Sequence, residues 1–152
     1  MFGLEGYRQR ILELNASDER GIQVIREKVK NFAQKKISKI PVLFEGVTVP
    51  EIQIVILDEA DLMTVDAQSA LRRIIEDYSK FTRFCIICNY LSRIIDPIAS
   101  RCAKYLFNPL SKEAQIKKIN EILICEKISI KSECVDYIID ICDGDLRRAI
   151  NQ

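Results

Sequence analysis

Apolar positions along the chain alternate between short runs and stripes at helical spacing. Residues 10–15 (R-I-L-E-L-N) predict a strand. Ile22, Ile25, Val29, Phe32 and Ala33 recur at spacings of three and four behind the start signals Ser17 and Asp18, which predicts an amphipathic helix over residues 21–34. Residues 35–50, with Gly46 and two prolines, read as a connection. Residues 52–57 (I-Q-I-V-I-L) form a nearly continuous apolar strand, the pattern expected of a sheet covered on both faces. Ala67, Ala70, Leu71, Ile74, Ile75 and Tyr78 make a second helical stripe, with Gln68, Arg72, Arg73 and Glu76 expected on its outer side. Residues 84–88 and 104–107 predict two further strands.

Strands alternating with helices point to an α/β domain with a mostly parallel sheet over residues 1–109. Residues 110–152 read as wholly helical, with helices at 111–127 and 131–142 and a third beginning near 145, so a small second domain is expected. No internal repeat or low-complexity tract interrupts this order.

Composition adds limits rather than direction. The 152 residues are 48% hydrophobic and 30% charged, enough for a sizeable core. Twenty-three Lys plus Arg against 22 Asp plus Glu leave a net charge of +1, so any basic surface must be local. No apolar run approaches the length of a membrane span, and a soluble intracellular protein with no membrane partner is expected. Six cysteines raise the question of zinc, but there is no histidine. Cys85 and Cys88 lie three apart on a predicted strand and so point to opposite faces, and the other four form no second close pair. Reduced, structural thiols are expected.

Chemistry concentrates after the apolar strand, in Ile54-Val55-Ile56-Leu57-Asp58-Glu59-Ala60-Asp61. A rigid strand ending in adjacent carboxylates suits nucleotide hydrolysis: Asp58 can hold Mg²⁺ while Glu59 polarises a water. The plainer alternative is an acidic, solvated turn. Asn89 follows the next predicted strand, placed to orient a water or a terminal phosphate. Ser100-Arg101-Cys102 and Gly144-Asp145-Leu146-Arg147-Arg148 come later, each weak alone.

Together with the run from Leu14 to Gly21 (L-N-A-S-D-E-R-G), Ala70-Leu71-Arg72-Arg73 and Thr82-Arg83-Phe84, these motifs resemble replication factor C small subunits, of the AAA+ clamp-loader family. The resemblance runs through essentially the whole chain. It implies an incomplete AAA+ parallel sheet flanked by helices and followed by a partial all-helical lid. It implies Asp58 on Mg²⁺, Glu59 as base for the attacking water, Asn89 as first sensor and Arg147 as second sensor of bound ATP. Arg101 would be an arginine finger acting on ATP held by a neighbouring subunit. The implied partners are the other subunits of a hetero-pentamer, the sliding clamp and primer–template DNA, in the nucleus.

The pattern is broken at both ends. None of the five glycines begins a G-x-x-x-x-G-K-[ST] phosphate loop, and the collar domain expected beyond Arg147 does not follow. Truncation at both ends is the expectation, with this chain alone inactive on ATP. The first strand that the resemblance implies would lie between the strands predicted at 84–88 and 104–107. Arg20, Arg26 and Lys30, on or just before the first helix, are expected to contact DNA phosphates, with Arg72 and Arg73 as weaker candidates because Arg72 can pair with Glu76. Two rival readings are a nucleotide-free interaction module and a DEAD-type helicase, which the Asp58-Glu59-Ala60-Asp61 box alone would also fit.

Overall fold

The computed structural model describes residues 10–16, 22–35, 43–44, 47–48 and 52–151. The chain divides into two compact units, Met1–Lys104 and Tyr105–Gln152.

In the first unit the order is β1 (Ile11–Asn15), a helix α1, a short antiparallel hairpin of β2 (Leu43–Phe44) and β3 (Val47–Thr48), β4 (Gln53–Asp58), α2 (Val65–Tyr78), β5 (Thr82–Ile86) and α3 (Asp96–Ala99). Helix α1 comprises Ile22–Val24, a π-helical turn Ile25–Val29 and Lys30–Gln34. Strands β1, β4 and β5 form a parallel sheet with β4 in the centre. Register aligns Leu12, Val55 and Phe84 across the sheet, and Leu14, Leu57 and Ile86 beside them. Because side chains alternate along a strand, these six share one face. That face packs on Ile25, Val29 and Ala33 of α1 and on Ala67, Leu71 and Ile74 of α2. Full burial of a side chain such as Leu57 or Leu71 stabilises by about 1.5–3 kcal/mol.

The other face differs from expectation. Ile54 and Ile56 are only half-buried, and the row containing Ile56 also holds the exposed Glu13 and Cys85. The I-V-I-L run therefore has one covered face and one partly open one. Three further differences are plain. The last strand of the sheet spans Thr82–Ile86 rather than 84–88, because Thr82 Oγ1 and Gln53 Oε1 meet at its buried start. The connection over 35–50 contains the small hairpin. The strand expected at 104–107 does not form: Tyr105, Leu106 and Phe107 are 83%, 89% and 91% exposed. A strand exists only through ladder bonds to a neighbour, and no described strand pairs with this segment.

The second unit contains α4 (Lys112–Cys125), α5 (Ser132–Ile141) and α6 (Leu146–Asn151) around Ile119, Val135, Ile139, Cys142 and Ala149. Helix α4 starts where Ser111 Oγ accepts the Ala114 N–H at 3.3 Å, as a serine N-cap does. All six cysteines are free, and no metal-ligating cluster occurs among the described residues. Burial pushes the Cys88 and Cys102 thiols up, with the Asp61 carboxylate adding to the rise at Cys88, so both are held protonated. Among the described residues no helix is long and apolar enough to cross a membrane.

Candidate functional site

Strand β4 delivers Asp58 and Glu59 to the carboxyl end of the sheet, where open α/β sheets bind ligands. Glu59 leaves the strand in the left-handed region, at φ 51° and ψ 37°. Its N–H donates to Asp58 Oδ1 at 2.9 Å, which steadies the bend and the first carboxylate together. Ladder bonds continue past the nominal strand ends: the Ile87 N–H donates to the Leu57 carbonyl and the Ala60 N–H to the Ile87 carbonyl, both at 2.9 Å. The buried Asp61 then accepts the Asn89 N–H at 3.3 Å. Asp58, Glu59 and Asn89 are thus gathered at one sheet end, and Asp61 is the latch. The sequence presented Asp61 only as the last letter of the box; its burial decides the role.

The donor set fits a magnesium ion carried mainly by phosphates and water. Mg²⁺ uses one or two carboxylates plus substrate oxygens, and Asp58 is a half-buried carboxylate at the strand end with Glu59 beside it.

Arg101 does not join these carboxylates. Its guanidinium forms an ion pair with Glu76 at 2.8 Å and donates to the Pro97 carbonyl at 2.7 Å. Glu76 is shared with Arg72, whose Nε lies 3.9 Å away at the anticipated four-residue spacing. Arg73 is placed differently. Together with Arg26 and Lys30 of α1 it lines a groove of about 420 Å³ between α1 and α2, where Asp66 and Asp77 are also present. Three cations thus outnumber two carboxylates there. Arg20 lies outside the described residues, as do Ser17 and Asp18. Arg147 belongs to the second unit, near the start of α6.

Gln68 is a correction. Expected on the outer side of α2, it is 2% exposed. Its Nε2 donates to the Met63 and Arg93 carbonyls at 3.3 and 3.0 Å, and its Oε1 accepts the Ile95 N–H at 2.9 Å. A helical wheel gives no sign of this, because the covering loop comes from 25 residues away. The amide ties the start of α2 to the segment that leads through α3 to Arg101. Gln68→Leu is expected to destabilise the unit by about 2–4 kcal/mol, since three backbone groups lose their partner, two of them in the 93–95 segment. Chemical denaturation should show a lower midpoint with the slope unchanged.

The family model described as DNA polymerase III, delta subunit, matches residues 8–111. Human replication factor C subunit 4 is 55% identical over 150 residues, covering 99% of this chain and 41% of the relative. Replication factor C subunit 2 of Saccharomyces cerevisiae is 52% identical over 151 residues, covering 99% and 43%. Among solved structures, the Thermotoga maritima RuvB Holliday junction branch migration motor superposes with a TM-score of 0.67 at 12% identity, over 97% of this chain and 45% of that one. That likeness concerns the fold alone, a parallel α/β sheet with flanking helices. The chain spans about two fifths of the length of the curated relatives it matches.

Proposed function

The chain belongs to the family described as DNA polymerase III, delta subunit, and on that premise, with replication factor C subunits among its relatives, we propose that it is part of a nuclear clamp-loader subunit. The intact subunit, assembled with other replication factor C subunits, uses ATP binding and hydrolysis to load the sliding clamp onto primer–template DNA. The observation that carries this reading is the carboxylate pair at the end of the central strand, with the Asn89 loop latched to it through Asp61. Asp58 holds Mg²⁺, and Glu59 takes the proton of the attacking water. Asn89, beside them, orients that water or the terminal phosphate. Bound Mg²⁺ supplies charge neutralisation at the transferring phosphoryl group. Arg147 acts as second sensor, and Arg101 serves the ATP of the adjacent subunit.

DNA lies along α1. Arg26, Lys30 and Arg73 share one groove, so a duplex phosphate meets several cations at once, and Arg20, outside the described residues, is proposed as a further phosphate contact. These contacts carry no sequence information, which suits a loader acting at any primer end. Replacing Arg20, Arg26 and Lys30 together by Ala in the assembled complex should weaken primer–template binding for every sequence tried. Three lost phosphate contacts should also flatten the slope of log affinity against log salt by roughly 2–3. An unchanged slope would return these side chains to a solvated surface.

A further inference from the structure

Gln115, in the first turn of α4, is 2% exposed. Its Nε2 donates to the Leu110 carbonyl at 3.0 Å, while its Oε1 has no hydrogen-bond partner. A Cβ built on Gly144 would stand 3.7 Å from the same Nε2. One buried amide therefore grips the segment entering α4 and lies close to the turn that joins α5 to α6.

That turn is tightly specified. Cys142 anchors it in the core, and the Asp145 N–H donates to the Cys142 carbonyl at 3.0 Å. Asp143 and Gly144 both take positive φ, 48° and 83°, a conformation glycine adopts freely and aspartate tolerates. Asp145 Oδ1 then accepts the Arg148 N–H at 3.0 Å, starting α6 and fixing where Arg147 leaves the turn.

Stability alone does not explain a glutamine here. A buried acceptor without a partner opposes folding, and a methionine of similar length would fill the same space without one. What only the amide supplies is its grip on the Leu110 carbonyl, with the gripping nitrogen placed close to the Gly144 turn. We propose that Gln115 is a positioning residue for Arg147, holding the Gly144 turn in register with the Leu110 segment so that the arginine is presented in one direction. This rests on the reading of Arg147 as second sensor.

The test uses the intact subunit assembled with its partners, carrying Gln115→Met, Arg147→Ala or both, with equilibrium binding of labelled ATP and thermal melting as readouts. Gln115→Met is expected to weaken ATP binding roughly threefold to tenfold with the melting temperature within about 2 °C of the parent. The double variant should bind no more weakly than Arg147→Ala alone, because Gln115 acts through that side chain. Gly144→Ala, which strains the same turn through its positive φ, should reproduce the loss. Unchanged binding in Gln115→Met, losses that multiply in the double variant, or a fall in melting temperature beyond about 5 °C would each overturn the proposal. If Arg147→Ala leaves ATP affinity intact, it is the second-sensor reading that fails, and the positioning role falls with it.

Discussion

Glu59→Gln, placed in an intact subunit assembled with its partners, is expected to lower ATP turnover by about 10²- to 10⁴-fold while ATP still binds. The amide keeps the volume of the carboxylate and loses its basicity. Asp58, the residue assigned to the metal, keeps its charge and the N–H of residue 59 on its Oδ1. Steady-state hydrolysis and labelled-ATP binding, measured side by side, separate the two residues; turnover that survives removes Glu59 as the base. The backbone sharpens the test. At φ 51° and ψ 37° a non-glycine residue bears a penalty of about 1–2 kcal/mol. Glu59→Gly should therefore abolish turnover while leaving thermal stability level or higher. A residue retained for folding would show the opposite, with stability falling alongside activity.

Periodicity carried most of the first unit because its helices are amphipathic and its central strand strongly apolar. The stripe from Ala67 to Tyr78 and the run over residues 52–57 matched α2 and β4 to within two residues. It failed where the environment of an element is decided by distant chain. Gln68 has the spacing of a surface residue, yet the 93–95 segment folds over it and needs its amide. Ile54 and Ile56 have the composition of a doubly covered strand, yet their face is shared with Glu13, Arg83 and Cys85. Residues 104–107 have strand propensity, but a ladder needs a second strand, which propensity cannot supply. The placement of Asp58, Glu59 and Asn89 at one sheet end was legible because these residues close the apolar runs over 52–57 and 84–88. Asp61 and Gln115 were not, since a buried polar side chain is identified by its hydrogen-bond partners, and those lie in other elements or turns.

Arg101→Ala in the assembled complex should slow hydrolysis at the neighbouring subunit's site by about 10³-fold or more, leaving nucleotide affinity at its own site nearly unchanged. The structure adds a condition to this expectation, because Arg101 is engaged by Glu76 and by the Pro97 carbonyl. To stabilise the phosphoryl charge on an adjacent ATP the guanidinium must leave Glu76 and give up its exposed bond to the Pro97 carbonyl. The cost is small: both side chains are more than a third exposed, and exposed ion pairs contribute about 0–1 kcal/mol. The bond from the Arg101 backbone N–H to the Ile98 carbonyl and the Gln68-braced segment keep the base of Arg101 in place, so the guanidinium exchanges its partners without the chain refolding. Glu76→Gln should accordingly leave neighbouring-site turnover unchanged or raise it by up to about fivefold, the most that releasing such a pair can supply. Single-site turnover in complexes with one hydrolysis-competent subunit would read both variants. If Glu76→Gln slowed the neighbour as severely as Arg101→Ala does, the ion pair itself would be the functional unit. Should Arg101→Ala impair only its own subunit's site, the guanidinium would be acting in cis, and the in-trans assignment would be withdrawn.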